Sequence, residues 1–314
     1  MMKTTAVNAK RVGLGSRILR DLKMNKLLWV MSVPLVAFYF IFHYLPMYGI
    51  LIAFKDFKIF KGFAASPWVG LKHFESFFNG IYFGRILSNT LIISLLQLAV
   101  GFPIPIIFAL LMNELRSDRY RRVIQTVTYM PHFISLVVFC GMIVSFFSRD
   151  GLVNDLLALI GVQRHSYITD PNAYRALYVG SGIWKNMGWS SIIYMAAISR
   201  VDQELYEACT IDGGNRWTRL CHVTLPQIMP TVVTLFILTV GRVMGEGAQK
   251  TVLLYNSATM EKADIISSYV YRRGIENAEY SFSTAVDLFN NVINCILVLG
   301  TNKLSRKIAD ISLW

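Results

Sequence analysis

Hydrophobic and polar positions fall along this chain in long blocks rather than in the short alternations of a globular fold. Six runs, 27–52, 88–112, 123–147, 175–198, 223–245 and 283–301, are predominantly apolar, and each is close to or above the roughly 20 residues that a helix needs to cross a bilayer. In lipid every backbone polar group must be paired within the protein, which leaves helices and closed barrels; runs of this length suit helices. The pattern therefore predicts an all-α polytopic membrane protein with six transmembrane helices and both termini on one side. Residues 1–26 form a basic N-terminal segment, 27–301 the membrane domain and 302–314 a C-terminal tail.

Composition agrees with this pattern. The chain is 54% hydrophobic and only 16% charged, where soluble domains carry about 25% charged residues, and its mean hydropathy is +0.46. The net charge of +12 is spread by topology. With the N-terminus inside, 17 Lys and Arg fall on residues 1–26, 113–122, 199–222 and 302–314, more than the longer outer loops hold. This excess places both termini, and the loop 202–226, in the cytoplasm. A nucleic-acid protein gathers its charge on one module with stacking aromatics; none is visible, so lipid and not nucleic acid is the expected surrounding. The apolar run from Leu27 to Phe42 continues past His43 without a small-residue cleavage site, which predicts a retained first span and not a signal peptide. Cys140, Cys209, Cys221 and Cys295 have no paired metal-type spacing, so neither a disulfide nor a metal site is expected.

The most informative polar block lies between the fourth and fifth apolar runs. Asp202 to Ala208 is helix-permissive, with acids at 202, 204 and 207 suited to a helix N-terminus. Gly213-Gly214 interrupts it, since glycine weakens a helix and supplies turns, and Pro226 fits the first turn of the next helix. The predicted result is a helix-turn-helix projecting from the membrane face with Glu207 exposed.

In this block Glu207, Ala208, Asp212, Gly213, Leu225 and Pro226 stand at the spacing of the coupling loop of binding-protein-dependent ABC importer permeases, and the chain resembles that family from about residue 25 to its C-terminus. The family usually has Ala at the positions of Cys209 and Gly214. The resemblance implies a type I importer permease in a bacterial cytoplasmic membrane, with a cytoplasmic coupling helix that docks in an ATPase dimer. It also implies a second homologous permease and an extracellular or periplasmic substrate-binding protein. ATP and Mg would be bound by the ATPase, with no cofactor on this chain. Trp184, Asn186 and Gly188 ahead of the loop, together with the tail Asn302 to Trp314, are similar to carbohydrate-uptake permeases, and within them to the group that includes the alginate-oligosaccharide importer. An oligosaccharide is the substrate so implied.

Ionisable and amide groups inside apolar runs are functional candidates, because burying them is costly. Trp184, Lys185, Asn186 and Trp189 occupy the fourth run; Arg242 and Glu246, four apart near the end of the fifth, are expected on one helix face. Asn89 and Gln97 lie in the second run, and Asn290, Asn291 and Asn294 in the sixth. Rings with amides and charges suit a sugar's C–H face and hydroxyl rim; the same groups also serve to join helices or to reach an interface. The outer loop 53–87 is rich in Phe and Lys, and the loop 246–282 carries Tyr255, Tyr269, Tyr271, Tyr280, Arg272 and Arg273; both suit the outer interface or a docked protein. No Walker lysine loop, Gly-x-Ser-x-Gly turn or His-Glu-x-x-His helix occurs, and the five histidines have no ligand spacing, so no enzymatic centre is expected. Import of another small polar solute remains an alternative. A structural or receptor-like role and a gradient-driven transporter, for which only Glu246 and Asp287 offer acids, are weaker ones.

Overall fold

The computed structural model describes residues 24–245 and 247–313 and, at Ala309, the backbone alone. The chain divides into two compact units, Met1–Leu51 and Ile52–Trp314. In the first, helix α1 (Lys26–Tyr39) passes through a wide turn, Phe40–Tyr44, into a tighter helical stretch, Leu45–Phe54, whose last three residues belong to the second.

The second unit is helical throughout its described residues, apart from loops and one isolated antiparallel bridge between Lys55 and Trp68. Helix α2 (Phe83–Leu96) continues through a wide turn, Gln97–Gly101, into α3 (Pro103–Asn113). Then follow α4 (Asp118–Phe133), α5 (Leu136–Phe147), α6 (Pro171–Ile198), α7 (Gln203–Ile211) and α8 (Leu225–Val240). Helices α9 (Ala248–Leu254) and α10 (Ile266–Tyr271) lead to α11 (Tyr280–Ala309).

Five helical segments among the described residues are long and apolar enough to cross a membrane: Lys26–Phe54, Phe83–Asn113, Leu136–Ala158, Arg216–Val240 and Tyr280–Ile308. The fourth expected span is α6, 28 residues and so about 42 Å long; it is longer than needed but carries Arg175, Lys185 and Asn186. Six crossings thus remain the architecture. The third expected span, 123–147, is corrected. It is not one helix: Ile134 and Ser135 are extended, with ψ of 132° and 148°, and the apolar segment begins only at Leu136. Pro131 disfavours helical continuation around it, and the Ser135 hydroxyl accepts from Val138 N at 3.4 Å to start α5 afresh.

Helix α6 is the centre of the second unit, packing on α3, α4 and α8. Its approach to α4 depends on Gly188, where a Cβ would stand 2.4 Å from the Thr128 carbonyl oxygen. Apolar clusters form around Phe139, Tyr178 and Leu254, around Phe77, Met244 and Phe282, and around Ala109, Tyr194 and Ile228. Among the polar groups, Asp264 is buried and held by Arg272, whose Nη2 is 2.6 Å from Oδ2. Asn89 donates to the carbonyls of Glu261 (2.8 Å) and Asp264 (3.1 Å) and accepts from Arg175 Nη2 (2.8 Å). A buried carboxylate needs such pairing, and here it fixes the segment before α10 to α2 and α6.

Candidate coupling loop and membrane cleft

The polar block forms the expected helix-turn-helix. Asp202 Oδ1 accepts from Glu204 N at 3.0 Å and starts α7; Gly213, at φ +79°, turns the chain; and Asn215 Oδ1 accepts from Thr218 N at 2.9 Å to start a second short helix, Arg216–Arg219. Leu225 opens α8 with Pro226 in its first turn. Glu207, Ala208, Asp212 and Gly213 are exposed. Sequence reasoning missed the apolar part of this surface: Leu205, Ile211 and Trp217 are 41%, 85% and 72% exposed. The i, i+3 steps from Leu205 to Ala208 and from Ala208 to Ile211 were the available signal. Gly214 packs on Cys209, where an added Cβ would fall 2.5 Å from Sγ and 2.6 Å from the carbonyl oxygen, so this chain's glycine at 214 is required by the close turn. Tyr206 Oη lies 2.9 Å from Thr224 Oγ1, tying α7 to the residue that precedes α8.

Between α6, the α2–α3 segment and α8 lies a cleft of about 550 Å³, whose lining includes Gln97, Phe102, Gly182, Asn186, Trp189 and Thr239. Of the candidates named from sequence, Gln97, Asn186 and Trp189 line it. His132, unassigned by its sequence spacing, joins them: its ring stacks on Trp189 at 4.6 Å and 4°, and Nδ1 is 3.2 Å from Asn186 Oδ1. No acid lines the cleft among the described residues.

The other candidates lie elsewhere. Lys185 points away from the cleft and donates to the carbonyls of Pro131 (3.1 Å), His132 (3.3 Å) and Ile134. The Pro131 oxygen also accepts from Ile134 N at 3.3 Å, whereas the His132 and Ile134 oxygens lie where α4 stops, and in apolar surroundings an unpaired carbonyl is costly; Lys185 caps them. Trp184 packs on Phe139 at 5.3 Å. The fifth span stops at Val240, so Arg242 sits in the turn Gly241–Gly245 and not on a helix face four residues from its expected partner. Glu246 lies outside the described residues. Asn290 and Asn294 are buried behind that turn, with Asn290 Nδ2 donating to the Met244 carbonyl at 3.1 Å. Asn290 thus holds helix to turn, and neither residue lines the cleft.

On the connection between the fifth and sixth spans, Lys250 was not singled out from sequence. Its Nζ donates to the Tyr178 carbonyl and lies 4.4 Å from that ring's centroid. Burial pulls its ammonium down to about 8, which leaves it mostly charged at neutral pH.

The structure joins the two outer loops expected to meet a partner. Phe57 N donates to Ser281 Oγ at 2.8 Å, and a second hollow of about 630 Å³ opens there, lined in part by Phe57, His73, Tyr82, Tyr269, Arg273 and Tyr280. Ala278, on its rim, has φ +58°, a strained value for a residue with a Cβ.

These features define a class: a polytopic helical membrane protein with an exposed helix-turn-helix loop at one end of its central helix and a cleft along it. The chain belongs to the family of binding-protein-dependent transport system inner membrane components, whose model matches residues 101–271. Among its relatives, Protein LplB of Bacillus subtilis is 41% identical over 94% of this chain and 93% of its own length. The polygalacturonan/rhamnogalacturonan transport system permease protein YteP of the same organism is 39% identical over 94% and 92%. A bacterial ABC transporter involved in the import of the acidic polysaccharide alginate matches in structure with a TM-score of 0.86 and 40% identity, covering 93% of this chain and 99% of that one. The alginate transporter in complex with its alginate pentasaccharide-bound periplasmic protein gives 0.86 and 39%, covering 95% and 100%.

Proposed function

We propose that this chain is one permease of an ATP-driven importer for acidic oligosaccharides. The observation that carries this reading is the exposed helix-turn-helix at Glu207, attached at both ends to the helices, α6 and α8, that wall the cleft. A loop so placed receives motion from a docked subunit and passes it to the cleft. The chain contains no nucleotide-binding loop, so ATP and Mg belong to a separate ATPase dimer. Glu207 meets a basic residue there, Leu205, Ile211 and Trp217 fill its apolar surround, and both termini lie on the same cytoplasmic side. A second homologous permease closes the open side of the cleft. The hollow between Phe57 and Tyr280 receives the substrate-binding protein outside. The acidic substrate is supported by two relatives, one named for polygalacturonan and rhamnogalacturonan and one for alginate, and by the absence of acids among the described residues of the cleft lining.

The test is reconstitution of the chain with its partner permease, ATPase and binding protein in vesicles. Uptake of a galacturonate oligomer that stops when the ATPase is inactivated, with the ion gradient intact, is the expected result. Uptake that persists would assign the chain to gradient-driven transport instead.

A further inference from the structure

Gly182 lines the membrane cleft, yet the direction its missing side chain would take leads to a charge. A Cβ built there would stand 3.0 Å from Lys250 Nζ. The lysine comes from α9, which packs against α5 and is joined to α6 by the bond from Lys250 to the Tyr178 carbonyl. Tyr178 Oη also donates to the Gly247 carbonyl at 3.4 Å. The ammonium therefore lies at the cleft wall, separated from the cavity by a residue that has no side chain. Any larger residue at 182 would press on it or screen it. The groups facing it are Tyr178 and Gly182 of α6 and Cys140 of α5, with Lys185 further along α6. Both lysines are bonded to backbone carbonyls, and no described carboxylate lies within ion-pair distance of either. A carbonyl partner leaves the positive charge uncompensated, and in surroundings of low effective dielectric its field reaches across a side-chain layer.

We propose that Lys250 selects anionic substrates, its ammonium acting on the cleft through the gap left by Gly182. The proposal rests on the acidic-oligosaccharide reading above and names the residue that enforces it. The ligand group is a sugar carboxylate, drawn to the α6 wall beside Gly182 and Asn186, where a neutral sugar gains nothing from the charge. Glycine at 182 and lysine at 250 then form one device: the first provides access, the second the charge. A lysine that served only to hold α9 on α6 would affect acidic and neutral substrates alike.

The probes are a galacturonate trisaccharide and its fully methyl-esterified form, which keeps the shape and removes the charge. Each is delivered to the reconstituted importer by saturated binding protein, and the ratio of acid to ester uptake is measured. The wild type is expected to favour the acid. In Lys250→Met the ratio should fall by about tenfold, the order of effect of one charge acting over about 12 Å at an effective dielectric near 20, while Lys250→Arg should retain most of it. Gly182→Ala, which is helix-compatible, should lower the ratio severalfold by displacing the ammonium, and it decides the matter if Lys250→Met does not assemble with the ATPase. A wild type that carries ester and acid equally removes the acidic-substrate reading and this proposal with it. A wild type that discriminates, beside Lys250 and Gly182 variants that discriminate as well, overturns the role of Lys250 alone. Equal loss of both probes in Lys250→Met also overturns it, since that is the signature of a helix staple.

Discussion

At the scale of single residues, charge placement separates two lysines and a glutamate that look alike in sequence. Lys185 and Lys250 both reach backbone carbonyls, but Lys185 caps three oxygens at the end of α4 while Lys250 stands at the cleft wall. Lys185→Met should leave the His132 and Ile134 carbonyls without that donor in apolar surroundings and lower the stability of the permease by about 1–3 kcal/mol. Thermal unfolding in detergent checks this, and an unchanged midpoint would mean that water replaces the ammonium there. Glu207 is the opposite case, exposed and without a described ion-pair partner in this chain. On the proposed function its role is intermolecular, so Glu207→Lys should leave insertion and folding intact, weaken ATPase association and abolish uptake. Normal uptake with full ATPase retention would remove it from the coupling surface.

At the scale of elements, what the sequence reveals follows from how local the cause is. The coupling helix, its break and the start of α8 were legible because Asp202, Gly213 and Pro226 act within a few residues of themselves. The break between α4 and α5 was not legible: hydrophobicity continues through Ile134, and the lysine that stabilises the exposed carbonyls comes from a helix some fifty residues later. His132 was unreadable for the same reason, its meaning residing in Trp189 and Asn186. Arg242 was misplaced because a helix face was extended through Gly241 and Gly245, where the chain has already turned. The bend of the coupling loop gives a prediction of its own kind. Gly213 has φ +79° with open space around its Cβ position, so Gly213→Val meets no neighbour and suffers only backbone strain, about 1–3 kcal/mol for a β-branched residue. Coupling should fail while membrane insertion and the α6 packing survive. Gly213→Asn, which tolerates that conformation, should restore most of the uptake; failure of both variants alike would point to contact with the ATPase rather than to the bend.

At the scale of the whole molecule, the question is how a push on the loop reaches a cleft in the membrane. Two covalent routes lead there, back into α6 through Val201 and forward into α8 through Pro226, and both helices line the cleft. A rigid displacement of the loop would move both walls together, whereas opening and closing requires that α7 keep a fixed relation to one of them. The Tyr206 hydroxyl on Thr224 Oγ1, at 2.9 Å, provides that relation with α8, and Thr224 is buried, so the bond is sheltered from water. Tyr206→Phe removes it with little change of shape. The net worth of such a bond is about 1 kcal/mol, enough to shift a two-state balance about fivefold. Since Tyr206 is half-buried and not on the exposed docking face, ATPase association should be kept and ATP hydrolysis should continue, while the amount of oligosaccharide carried per ATP hydrolysed falls severalfold. Thr224→Val should reproduce the effect, and the double variant should be no worse than either alone, because both remove the same contact. Hydrolysis and uptake that decline in proportion would instead place Tyr206 in ATPase docking, and transmission would then run through the backbone of α6 and α8 alone.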